Sequence, residues 1–162
     1  MPLIDLGAKA PAFTLLDQDA KKRTLKEFLG SPLILYFYPK ADTSSCTKEA
    51  CAFNEALPKL SKLGVQVVGV SPDEPKALKK FADKYALKFP LLGDPFEEGD
   101  TPETLDAFGV WGEKSMYGRT YMGVIRTTYV VDAKGKVAAR FDNVKVPGHD
   151  KAVLEAVAAL KK

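Results

Sequence analysis

The 162-residue sequence holds only two cysteines, one histidine and one tryptophan. Two cysteines and a lone histidine, at no recognisable zinc spacing, are too few to build a structural metal site, so no metal is expected. No block of one charge sign stands out either. The 24 Lys and Arg are interleaved with 21 Asp and Glu, leaving a net charge of +3. A nucleic-acid binder concentrates basic residues on one surface, whereas the short run Lys21-Lys22-Arg23 reads as a solvated turn. Long hydrophobic runs are missing as well; the longest, Leu33 to Tyr38, falls far short of a membrane span. The stretch Met1 to Ala10 lacks the basic start and apolar run of a secretory signal. These absences predict a soluble, cytoplasmic protein without nucleic-acid or membrane partners. Structural disulfides are rare in that compartment, so a cysteine pair there is more often catalytic, redox-sensing or metal-binding.

What is present has the pattern of an α/β domain. No repeat, low-complexity tract or linker divides the chain, so one domain over 1–162 is predicted. Leu33-Ile-Leu-Tyr-Phe-Tyr and Val65-Gln-Val-Val-Gly-Val are continuous apolar runs, which suit central strands buried on both faces. Between them, Ala50, Phe53, Leu57 and Leu60 recur at helical spacing within a predicted helix from Ser44 to Leu63, and Gly64 stops it. Pro58 should kink or restart that helix. Ser71-Pro-Asp-Glu74 reads as a capping box opening the next helix, whose buried face is Leu78, Phe81, Ala82 and Tyr85. Thr24 and Glu27 read as the cap of a short helix. Phe89-Pro-Leu-Leu reads as a strand, and Thr101 to Phe108 as a helix. Ile125 to Val131 and Val137 to Phe141 are predicted strands joined at Asp132-Ala-Lys-Gly. A last helix spans Asp150 to Leu160. The order implies a mixed central sheet flanked by helices.

The chemistry concentrates in Tyr38-Pro-Lys-Ala-Asp-Thr-Ser-Ser-Cys-Thr-Lys-Glu-Ala-Cys. This segment leaves a buried strand and opens a helix, the usual location of ligand sites in open α/β sheets. Cys46 falls in the first helical turn, where free backbone N–H groups and the helix dipole favour a thiolate. An ordinary cysteine is roughly 3 % thiolate at pH 7, so full ionisation gains only about thirtyfold. Fast thiolate chemistry therefore also needs groups that orient a substrate and stabilise a departing anion. Thr43 is near enough in sequence to bond the sulfur or a substrate; a cation must come from elsewhere. Position alone is equally compatible with Cys46 as a small core residue beside Ala50 and Phe53.

Pro39-x-x-x-Thr43-x-x-Cys46 resembles the peroxiredoxin active-site motif. Cys51, five residues later, is similar to the resolving cysteine of the peroxiredoxin Q subgroup, also called bacterioferritin comigratory protein. The resemblance extends over nearly the whole chain, through Gly7-Ala-Lys-Ala-Pro-Ala-Phe-Thr-Leu, Val70-Ser-Pro-Asp, Gly109-Val-Trp-Gly-Glu-Lys and Gly123-Val-Ile-Arg-Thr-Thr-Tyr. It implies a thioredoxin-like fold and a thiol-dependent peroxidase without metal or organic cofactor. It further implies Cys46 as the attacking thiolate, Thr43 as peroxide ligand, Pro39 as a shield against water and Arg126 as the missing cation. Glu49 matches a position that holds the arginine network. The implied partners are a hydroperoxide and a reductant, thioredoxin or a glutaredoxin-like protein, and the subgroup is often monomeric. Many relatives have Pro-Gly where Ser44-Ser45 stands here; serines still cap helices, and the change bears on how readily the turn unwinds.

Unwinding matters because of helix geometry. Residues five apart have Cα atoms roughly 8–9 Å apart and point about 140° away from each other, while a disulfide needs Cα atoms within about 7 Å. A Cys46–Cys51 disulfide thus requires the first turns to open. Two rivals to the peroxidase are weighed. A thiol–disulfide oxidoreductase is disfavoured by the missing Cys-x-x-Cys and by Ile125-Arg-Thr-Thr where thioredoxins carry a cis-proline. A non-enzymatic redox switch would lack turnover with peroxide and reductant. His149, in Pro147-Gly-His-Asp, reads as a surface or helix-cap residue. Trp111, Met116, Tyr117, Tyr121 and Met122 suit ordinary packing as well as a pocket border or docking surface.

Overall fold

The structure is a computed structural model that describes residues 2–97 and 99–160; Met1, where the amino-terminal stretch read above begins, and Glu98, Lys161 and Lys162 lie outside the described residues. In chain order the elements are β1 (Thr14–Asp17), β2 (Lys22–Thr24), a 3-10 turn (Leu25–Phe28), β3 (Leu33–Phe37), α1 (Ser44–Lys62), β4 (Gln66–Ser71), α2 (Pro75–Tyr85), β5 (Leu91–Gly93), α3 (Glu103–Ala107), β6 (Trp111–Met116), β7 (Arg119–Val124), β8 (Thr127–Val131), β9 (Val137–Phe141) and α4 (His149–Leu160). Seven strands form one sheet in the order β2-β1-β5-β4-β3-β8-β9, and β6 pairs with β7 in a separate hairpin. β3, β4 and β5 are parallel, whereas β1 and β8 join them antiparallel, which makes the sheet mixed.

The continuous apolar runs occupy the centre because both of their faces are covered. Along β3 and the residue after it, Ile34, Tyr36 and Tyr38 enter one core with Phe53 and Leu60 of α1, Phe81 of α2 and Val157 of α4. Leu33, Leu35 and Phe37 point the other way, into a second core with Phe13, Phe28, Phe108 and Tyr129. Full burial of such side chains contributes about 1.5–3 kcal/mol each. That explains why α1 runs unbroken through Pro58. The proline costs about 3 kcal/mol in a helix interior, and buried Phe53, Ala56 and Leu60 around it outweigh that. The helix stops where expected: Gly64 takes a left-handed φ of 71°, and Val65 N–H donates to the Leu60 carbonyl at 2.9 Å.

Several expectations need correction. Ser71 ends β4 instead of capping α2, which starts four residues later at Pro75. The reason is that Asp73 captures the serine: Ser71 Oγ donates to Asp73 Oδ2 at 2.8 Å. Ser44 and Ser45 lie inside α1, and Thr43 is the N-cap. Lys22 and Arg23 form an edge strand, not a solvated turn, with Arg23 bonded to buried Asp17 at 3.0 Å. The β6–β7 hairpin was not predicted at all. The cap at Thr24 is as expected, its N–H donating to Glu27 Oε1 at 2.7 Å. Among the described residues, no helix is long and apolar enough to cross a membrane.

Candidate active site

Strand register brings the site together. β8 runs antiparallel beside β3, pairing Thr127 with Phe37. The start of β8 therefore lies at the carboxyl end of β3, where the chain turns into α1. Arg126, immediately before β8, is thereby delivered to the first turn of α1 across 80 residues of sequence.

Cys46 is 1 % exposed on the inner side of that turn. Arg126 Nη2 donates to its Sγ at 3.1 Å. Arg126 Nη1 donates to Glu49 Oε1 at 2.5 Å, forming an ion pair almost closed to solvent. A guanidinium fits this double task because its planar fork offers two donors in fixed directions. Burial opposes the arginine's charge, but Glu49 and Cys46 hold its pKa above the ordinary value. Glu49 behaves differently. Its burial, stronger than the pull of Arg126, pushes the carboxyl up to about 7.

The site residues expected from sequence are not all in one contact. Cys46, Arg126 and Glu49 meet directly. Thr43 is exposed at the N-cap and its hydroxyl donates to the Lys40 carbonyl at 3.0 Å. Pro39 lines a cavity of about 640 Å³ together with Arg126, Ile125 and Val144. Cys51 sits farther along α1, half-buried, and both cysteines are free thiols. Burial, and secondarily the charge of Glu55 one turn on, push the Cys51 thiol up. Two groups escaped sequence reasoning. Lys114, on the hairpin, lines the same cavity and donates to the Val124 carbonyl at 2.9 Å. His149 is not a surface residue: it is 6 % exposed and contacts Thr128 Oγ1 at 2.8 Å. α4 carries it under the sheet, against Glu49, and no local sequence signal marks that docking.

Residues 6–140 match the model of the AhpC/TSA family. The chain belongs to this family. Peroxiredoxin Bcp of Escherichia coli (strain K12) is 43 % identical over 148 residues, covering 91 % of this chain and 92 % of the relative. Among solved structures, Xanthomonas campestris peroxiredoxin Q superposes with a TM-score of 0.84 at 38 % identity, covering 93 % of this chain and 92 % of the other. A structure of the Xanthomonas campestris bacterioferritin comigratory protein gives a TM-score of 0.87 at 36 % identity, over 98 % and 100 %. These likenesses put the chain with the peroxiredoxins of the Bcp and peroxiredoxin Q type, and its fold with the thioredoxin-like peroxiredoxins. In this peroxiredoxin the hairpin residues are mostly outward. Met116, Tyr117, Tyr121 and Met122 are exposed, and Trp111 packs on Phe96 with ring centroids 4.9 Å apart.

Proposed function

We propose that this peroxiredoxin is a thiol peroxidase that reduces hydrogen peroxide and organic hydroperoxides through a Cys46–Cys51 disulfide. The observation that carries the reading is the Arg126 guanidinium donating to the Cys46 sulfur at the start of α1. The sulfur there has a cation beside it and lies in the first turn of the helix. The same cation stabilises negative charge on the oxygen that departs. The Cys46 thiolate attacks the nearer peroxide oxygen; the O–O bond breaks, the distal oxygen leaves and takes a proton as water or an alcohol. Cys46 is left as a sulfenic acid. Cys51 then displaces water from it to form the disulfide, and a dithiol reductant, thioredoxin or a similar protein, restores both thiols by exchange.

In this reading Thr43 turns its hydroxyl from Lys40 to the bound peroxide, Pro39 keeps water from the sulfur, and Glu49 orients Arg126. The reading extends to one domain acting as a monomer in the cytoplasm. Support for organic substrates comes from the apolar part of the cavity wall, Pro39, Ile125 and Val144, and from the Xanthomonas campestris protein, studied for alkyl peroxide reduction. The test is peroxide consumption with thioredoxin and its reductase. Cys46→Ser is expected to lose even the first turnover. Cys51→Ser is expected to reduce one equivalent of peroxide and then stall. Full activity in Cys46→Ser refutes the mechanism, and a wild type that oxidises once without cycling favours the redox switch.

A further inference from the structure

The contact between sulfur and arginine is the visible end of a longer chain of groups. Arg126 is aimed by Glu49 Oε1, but the other carboxyl oxygen, Glu49 Oε2, is buried and finds no hydrogen-bond partner among the described residues. A buried, unbonded carboxyl oxygen is costly, and a lone pair left this way needs a reason. His149 Nε2 lies 3.9 Å from Glu49 Oε2. That separation exceeds a hydrogen bond by about one ångström, so a small rotation of the Glu49 carboxyl closes it.

His149 is itself held firmly. Phe53 of α1 meets its ring edge-on with centroids 5.9 Å apart, and Phe141 of β9 does so at 5.5 Å. Thr128 Oγ1 of β8 fixes the Nε2 corner at 2.8 Å. The ring thus has one orientation, and the corner facing Thr128 also faces Glu49. A histidine serving only as a helix cap needs neither the aromatic clamp nor that aim.

We propose that His149 is a positioning residue for peroxide reduction: its clamped Nε2 corner, shared with Thr128, fixes the free oxygen of Glu49 and so holds Arg126 on the Cys46 sulfur. The inference rests on the peroxidase reading above. The charged and titratable groups around the pair are Cys46 on α1, Arg126 before β8, Asp150 on α4 and the phenols of Tyr36 in β3 and Tyr38 just after it. Burial keeps the imidazole neutral, its pKa lowered to about 4, while Glu49 sits near 7. At neutral pH a proton in this pair therefore resides on the carboxyl side. Nε2 carries one hydrogen or one lone pair, so the neutral imidazole holds the carboxylate by sharing its Nε2–H between Thr128 Oγ1 and Glu49 Oε2, and holds the carboxylic acid by accepting its proton in place of the Thr128 hydroxyl's. It can hold Glu49 in either protonation state.

The test compares the rate of Cys46 oxidation by hydrogen peroxide in the first turnover, across pH, for wild type, His149→Phe and His149→Gln. Phenylalanine keeps a ring between Phe53 and Phe141 and removes both nitrogens. Glutamine places an amide nitrogen near the Nε2 position. The expected result is a loss of about tenfold in His149→Phe with a displaced pH profile, as for a modest misplacement of catalytic groups, and recovery of most of the rate in His149→Gln. A folded His149→Phe with the wild-type rate and pH profile overturns the inference while leaving the peroxidase reading intact. A wild type that never reacts overturns both. Should His149→Phe fail to fold, the wild type alone decides. His149 is the only histidine in the chain, so its ring nitrogens give a single set of NMR signals. Those signals are expected to shift through an inflection near pH 7 that disappears in Glu49→Gln. Signals that stay flat through that range overturn the proposal.

Discussion

The two cysteines share a helix but not an environment. Cys46 heads a buried cluster whose other members come from four places in the chain: Arg126 before β8 bonds its sulfur, Glu49 on its own helix pairs with Arg126, and His149 on α4, bonded to Thr128 on β8, stands behind Glu49. Cys51 has a half-buried surface setting, and Glu55 on the same helix acts on it. The contrast assigns different physics to the two halves of the proposed cycle. Attack on peroxide profits from groups already in place, because nothing need reorganise as charge develops. Disulfide closure gains nothing from that order. With α1 continuous from Ser44, the two sulfurs point in different directions, and the cage around Cys46 must come apart first. A well-built first step therefore makes the second step slower.

The sharpest way to break this comparison is to remove the cation. Arg126→Met keeps the length of the side chain and loses both donors. The first-turnover rate is expected to fall about 100-fold, the scale of losing one donor that stabilises a developing oxyanion. Glu49, left buried without its arginine, should take up a proton and become neutral. Stopped-flow measurement of Cys46 oxidation checks the rate. A loss below about threefold would mean that the helix terminus alone does the work.

A second prediction concerns how the cage responds to acid. The folded state raises Glu49 from 4.5 to about 7, so this group stabilises the fold below its unfolded value and loses that contribution as pH rises through 7. The folded state lowers His149 from 6.5 to about 4, so this group's contribution is lost as pH falls from 6.5 toward 4. In the overlap the folded chain keeps a proton on Glu49 and the unfolded chain keeps one on His149. The two trends cancel, and the pair should leave stability nearly flat between pH 5 and 6. Glu49→Gln removes the compensation. It should then lose on the order of 2–3 kcal/mol more than wild type on acidification from about pH 7 to 4. Urea unfolding at several pH values reads the difference.

The same contrast governs what was legible in the sequence. The centre of the fold was readable because β3 and β4 are apolar without interruption, and the helix because its apolar residues keep one spacing. Cys46 was readable as a first-turn residue from local pattern. Arg126 had no local pattern; only the family resemblance pointed to it, because its meeting with Cys46 depends on which strand neighbours β3. His149 was misread for a related reason. A histidine after Pro-Gly at the start of a helix has the local look of a cap, and its burial arises when α4 packs across β8 and β9. Ser71 failed as a cap because Asp73, two residues on, also accepts the N–H of Ala41 at 2.7 Å and so ties Ser71 to the active-site loop. The β6–β7 hairpin carries one mark in the sequence, Gly118 in its turn, where Tyr117 and Gly118 both take left-handed φ, at 51° and 77°, as a two-residue hairpin turn requires. Its strands are mostly exposed, so they lack the apolar alternation that betrays a strand.

The smallest expected effect tests the hinge between the two regions. The loop entering α1 is tethered to α2 through Asp42, whose carboxylate accepts from Lys84 Nζ at 3.0 Å and Tyr85 Oη at 2.8 Å. Asp42 has a left-handed φ of 59°, a conformation that asparagine also tolerates. Asp42→Asn thus removes the charge without disturbing the backbone, and weakens a tether that is exposed and screened. Disulfide formation after peroxide addition is expected to quicken by roughly twofold, the scale of one exposed ion pair. The first-turnover rate should not change, because Asp42 touches neither Cys46 nor Arg126. A change in the first step instead would mean that the loop and the cage are one rigid unit, and that the division between a prepared first step and a second step that must dismantle it is drawn in the wrong place.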